Sequence, residues 1–164
     1  MQPFTRACLD LLDESLTGPA DPHRTWIVSN EPASGFLGTL DQLSAEDASR
    51  APVPGARTIA AHAQHELFAL DLARHRLQGQ NPAADWDASW GTAAITEPMW
   101  ANLRAELRRA GTELRQTIES KQSWSDVETQ GLIATLAHLT YHLGAVRQIA
   151  RTFRAEKPTP PRCG

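Results

Sequence analysis

Three of the chain's six histidines, His65, His138 and His142, sit in surroundings that suit a metal site. His138 and His142 are four residues apart in a segment of helical periodicity, so at about 3.6 residues per turn they stack on one face. Ala134, Ala145 and Ile149 share that face, which predicts that both rings point inward. His65 lies in a second helical segment beside Ala61, Phe68, Ala69 and Leu72, again on an apolar side. Three neutral imidazoles from two helices can offer ring nitrogens to one ion and leave positions open for water or substrate. An H-x-x-x-H pair also occurs as packed, hydrogen-bonded core residues, and spacing alone leaves both readings standing.

The neighbouring polar residues are less decisive. His62 is one turn before His65 and partly on its face; fourth ligand, outer partner and simple boundary residue are its alternatives, the boundary role being the default. His75 is expected on an outward face and His23 in a loop, both solvated. Glu66 follows His65 directly and so points about 100° away from it on a helix, while Asp71 and Glu128 have no spacing that ties them to the site. No general acid or base is assigned. Tyr141 and Arg147 flank the pair and suit either substrate orientation or an ordinary boundary position. Trp86, Trp90, Trp100 and Trp124 fall near predicted helix ends, where they either wall a pocket or close the end of the helix assembly.

The elements that must position these residues can be read from periodicity and breakers. Phe4 to Leu16 places Ala7, Cys8, Leu11, Leu12 and Leu16 at helical spacing, and Gly18-Pro19 ends it. Residues 19 to 32 read as a loop anchored by the apolar Trp26-Ile27-Val28, followed by a short helix at about 34 to 43 carrying Phe36, Leu37, Leu40 and Leu43. Thr58 is a good cap for a long helix running to about Leu77, with Gly79, Asn81 and Pro82 beyond it. Thr96-Glu97-Pro98 opens the next helix, with Leu103, Leu107, Leu114 and Ile118 on its apolar side. Ser125-Asp126-Val127-Glu128 has the form of a capping box before a last helix reaching about Phe153. The fold class expected is therefore all-α: an antiparallel four-helix bundle with an extra short helix and long early loops. One domain spanning 1–164 is expected, its core at about 4–153 and a mobile Pro-rich tail at 157–164.

Composition narrows the function classes. Lys plus Arg number 16 against 19 Asp plus Glu, a formal charge of -3, which gives no basic field for a phosphate backbone. The apolar runs are short and the first residues enter an amphipathic pattern, so neither a membrane partner nor an export leader is expected and a cytoplasmic location is. Cys8 and Cys163 lie near opposite ends without C-x-x-C spacing and read as free thiols, a disulfide between the chain ends being the lesser alternative. Cys8 is not placed to act as a nucleophile.

The segment Thr58-Ile59-Ala60-Ala61-His62-Ala63-Gln64-His65, with Ala137-His138-Leu139-Thr140-Tyr141-His142-Leu143-Gly144-Ala145-Val146-Arg147-Gln148 far downstream, resembles the DinB/YfiT-like superfamily. Members carry a ligand His seven positions after a Thr/Ser that precedes Ile/Val, and H-x-x-x-H on the last helix followed by Gly and a nearby Gln. The resemblance covers roughly Phe4 to Phe153. It implies a four-helix bundle, a divalent metal (typically zinc or nickel) on His65, His138 and His142, and frequent homodimers. In some members it also implies transfer of a low-molecular-weight thiol such as bacillithiol or mycothiol to a small-molecule substrate. His62 is not a ligand position on this alignment. The common His-Arg-Gly-Gln ending is replaced by Leu143-Gly144-Ala145 with Gln148 displaced, which leaves the ligands in place and the subgroup open. The function expected is thus a metal-dependent thiol S-transferase or hydrolase; a non-catalytic metal- or ligand-binding protein and a structural helical dimer are the competing readings.

Overall fold

A computed structural model describes residues 1–156, so Cys163 and the expected tail at 157–164 lie outside the described residues. The described residues form six α-helices and no strand: α1 (Pro3–Thr17), α2 (Phe36–Asp41), α3 (Ala45–Ser49), α4 (Ile59–Leu77), α5 (Glu97–Ser120) and α6 (Asp126–Glu156), with one 3-10 turn at Ala88–Trp90. Two short helices, not one, occupy the early region. The reason is local: Ser44 accepts a hydrogen bond from the Asp47 amide and starts α3 where the sequence pattern suggested only the end of the preceding helix.

Capping explains where the long helices begin and end. The Thr58 hydroxyl accepts from the Ala61 amide, and after Leu77 the chain turns at Gly79, whose φ of 79° suits glycine. There Gly79 N–H bonds to the Arg76 carbonyl and Gln80 N–H to that of His75, the paired closure of a Schellman motif. Ser125 and Glu128 form the expected capping box: the Ser125 hydroxyl accepts the Glu128 amide and the Glu128 carboxylate accepts the Ser125 amide at 2.9 Å. Thr96 behaves differently from expectation, because its side chain makes no cap bond. Glu97 turns instead toward α3, accepting from the Ala45 amide at 2.7 Å. The last helix also runs past Phe153, to Glu156.

The four long helices pack in pairs, α4 against α5 and α6, and α1 against the same two, while α2 and α3 lie against α1 and α4. Leu12, Phe36, Leu40, Ile59, Leu107 and Leu139 are fully buried in one shared core. Each such side chain contributes about 1.5–3 kcal/mol relative to exposure. On α1 the buried stripe includes Leu9 where the pattern suggested Ala7, which is exposed. Gly111 of α5 lets α1 approach closely: a Cβ there would meet Leu16 at 2.7 Å.

The loop after α1 is held mainly by a charge. Glu14, 5% exposed, accepts the backbone N–H groups of Trp26, Ile27 and Val28 at 2.8 to 3.1 Å. Val28 is buried as expected, whereas Trp26 is exposed and contributes little to the anchor. No helix of the described residues is long and apolar enough to cross a membrane.

Candidate metal centre

His65 of α4 and His138 and His142 of α6 meet where these helices face each other. One nitrogen from each ring lies within 4.8 Å of the other two, a spacing that could hold one metal ion. His65 and His142 are buried at 5% and 1% exposure. His138 is not an inward core residue as its apolar face predicted; its side chain is 30% exposed because Ala134, one turn earlier, borders a groove open to solvent.

Hydrogen bonds fix the rings. His65 Nδ1 is 2.5 Å from Ser89 Oγ, and the Ser89 hydroxyl donates to the Trp86 carbonyl. With its proton committed there, Ser89 accepts from His65 Nδ1–H, which leaves the Nε2 lone pair free to bind a cation. His142 Nδ1 is 2.8 Å from His62 Nδ1, and for His142 Nε2 to serve as a ligand its Nδ1–H must donate to His62. His62 is therefore no boundary residue: it is buried and acts on His142 directly. His23 is exposed, as expected, but His75 is half-buried and bonded through Nδ1 to the Asp71 carbonyl.

The linker between α4 and α5 covers the rings. Trp90 stacks on His65 with centroids 3.9 Å apart and planes 8° from parallel, and the Arg57 guanidinium lies 4.8 Å from the Trp90 ring centre. Trp86 sits between Phe68, His65 and His138. The other two candidate wall residues serve elsewhere. Trp100 is in the core and donates to the Leu43 carbonyl, and Trp124 donates to Thr5 and meets Phe4 edge-on. Tyr141 is exposed with its ring edge-on to His142, and Arg147 reaches Ser29. Cys8 is buried and free, and burial pushes its thiol pKa up, which fits a packed residue and not a nucleophile.

Sequence reasoning missed Glu66. Its side chain does diverge from His65, but it turns toward α6, is fully buried, and brings Oε2 to 3.8 Å from His138 Nε2. Both Glu66 oxygens and His138 Nε2 are buried without a hydrogen-bond partner. Burial raises the Glu66 pKa to about 8, since a lone carboxylate is poorly solvated there. Burial, then the neighbouring rings, lowers His142 to about 3; burial, then His138, His62 and Arg57, lowers His65 to about 4. Burial also lowers His138 and, with Arg57, His62. The rings are thus held neutral, the form that donates a lone pair to a cation. Neutral donors beside an orphaned carboxyl group fit a divalent ion: the cation would satisfy His138 Nε2 and compensate a Glu66 charge that burial otherwise opposes.

A family model for the DinB superfamily matches residues 33–145, more than half of the chain and a stretch enclosing all three histidines. The chain belongs to the DinB superfamily. No curated protein and no solved structure matches it. The DinB match begins after α1 and takes in α2 to α5 and the first part of α6, so the histidines, Glu66 and the covering linker all fall within it.

Proposed function

We propose that this DinB superfamily chain uses His65, His138 and His142 to hold zinc or nickel, and that a small molecule reacts beside them by transfer of a low-molecular-weight thiol or by hydrolysis. The observation carrying this reading is the set of buried, unpartnered polar atoms, Glu66 Oε1 and Oε2 and His138 Nε2, next to two further neutral rings. A purely structural core would leave those atoms at a cost of about 1–3 kcal/mol each. An all-imidazole donor set suits both metals. The chemistry such an ion supplies is Lewis acidity, which favours the deprotonated form of a thiol or a water near neutral pH.

The residues divide the remaining work. Ser89 and His62 hold the rings of His65 and His142 in the ligand tautomer, and Trp90 with Trp86 keeps water from one side. Where a bound cation favours its ionised form, Glu66 is the group placed to take the proton that a thiol or water gives up. The same reading takes the chain as a single domain whose four long helices form an antiparallel bundle, working as a homodimer in the cytoplasm.

The test is metal content by mass spectrometry on untagged protein, beside the triple variant His65→Ala, His138→Ala, His142→Ala. Near-stoichiometric zinc or nickel, absent from the variant, is expected, together with turnover of a thiol and electrophile panel that Glu66→Gln loses while keeping its metal. Protein that holds no metal and takes none up would overturn the reading and leave a structural helical protein.

A further inference from the structure

A groove of about 620 Å³ runs between α4 and α6 and ends at His138 and Trp86. Its walls are apolar, with Leu72, Ala73 and Leu77 on one side and Val127, Leu132 and Ala134 on the other. That volume is in the range of small-molecule sites. From His138 to Val127 is eleven residues of helix, so the groove extends about 16 Å from the histidines.

Two features show what it would accept. The first is Gly131, within α6, where a helix prefers almost any other residue. A Cβ there would meet nothing within 4 Å, so the missing side chain relieves no clash and its effect is to widen the groove. The second is charge. Arg76 borders the groove and is exposed, with no ion pair among the described residues. Glu128, the carboxylate also bordering the groove, is already paired with Lys121. The groove therefore offers an apolar trough, an uncompensated cation, and the partly exposed His138 ring at its inner end.

We propose that this groove binds the organic body of the substrate: an elongated alkyl or aryl molecule with an anionic group held by Arg76 and its reactive end beside His138. The position of the reactive end rests on the metal-site reading; the binding of the apolar body and its anion does not. A polar sugar thiol does not fit such walls, so the groove takes the electrophilic partner and not the thiol.

The probes are octanoate, whose chain fits within the groove, octanol, which keeps the chain without the charge, and acetate, which keeps the charge without the chain. Binding is read by calorimetry and by shifts of Ala73 and Ala134 methyl signals, on metal-free and zinc-loaded protein. Octanoate is expected to bind both forms and acetate neither. Arg76→Gln should weaken octanoate about fivefold, the worth of one exposed charge-assisted contact, and leave octanol unchanged. Gly131→Trp should abolish both, with helicity retained because the position is open. Octanoate binding that survives Gly131→Trp, or no binding at all, overturns the proposal. So does a Gly131→Trp protein that changes from dimer to monomer by light scattering, which makes the groove a contact between copies. Octanoate binding in protein that never takes up metal would sink the metal centre and leave the groove standing; stoichiometric metal with no octanoate binding would do the reverse.

Discussion

Replacing His62 by Ala should weaken metal binding without unfolding the protein, and the size of the effect follows from one contact. His62 Nδ1 and His142 Nδ1 are 2.8 Å apart between rings that are 8% and 1% exposed. Without His62, the His142 Nδ1–H is buried with no acceptor, at a cost of about 1–3 kcal/mol. If the proton moves to Nε2 instead, the ligand lone pair is lost. Loss of such an outer partner typically lowers metal affinity 10–100-fold, about 1.4–2.7 kcal/mol, which agrees with the cost of the orphaned donor. Competition with a chromophoric chelator at neutral pH measures this directly, with circular dichroism of the metal-free protein as the control for folding. The informative comparison is His62→Asn, whose Oδ1 is bonded to Cγ as Nδ1 is in histidine and offers an acceptor at nearly the same place. It should recover most of the lost affinity. A His62→Ala protein within twofold of the parent, or a His62→Asn protein as weak as His62→Ala, would refute the reasoning.

Glu14→Ala should lower stability by about 2–4 kcal/mol in urea titration, because three backbone N–H groups lose a charged acceptor; a loss below 1 kcal/mol would mean that the loop is held by Val28 alone. Trp100→Phe leaves the Leu43 carbonyl without its indole donor and should cost about 1–3 kcal/mol, checked by thermal unfolding. The Glu128 carboxyl, held at about 2 by Lys121 and then by Ser125, is more acidic folded than unfolded, so its contribution is present above pH 4.5 and disappears as pH falls toward 2. Glu128→Ala should therefore cost about 1 kcal/mol at neutral pH, the scale of a helix cap on a partly exposed site, and nothing near pH 2. An equal loss at both pH values would show that the capping box acts through packing.

The parts legible in the sequence were those governed by local rules. Thr58, Gly79 and the Ser125–Glu128 pair fix helix ends through contacts a few residues long, and the spacing of His138 and His142 follows from helix geometry alone. What escaped depended on which helix lies opposite. Glu66 diverges from His65, as its adjacency requires, yet reaches the cluster because α6 presents His138 on that side. His62 is likewise decided by His142, eighty positions away along the chain. Among the tryptophans, position near a helix end could not separate Trp86 and Trp90, which cover the rings, from Trp100 and Trp124, which serve the core and the α1 contact. The second short helix was hidden because α3 is only five residues long, too short for periodicity to register.

The stacking of Trp90 on His65 gives the candidate centre an optical signature of its own. An indole in face contact with an imidazole loses excited-state energy to the ring when the ring is protonated, and to an open-shell ion such as nickel when one is bound, whereas closed-shell zinc leaves emission largely intact. The chain has five tryptophans, but Trp26, Trp100 and Trp124 lie away from the histidines. Subtracting their emission leaves Trp86 and Trp90 as native fluorophores that distinguish an empty centre, a zinc centre and a nickel centre without any added label.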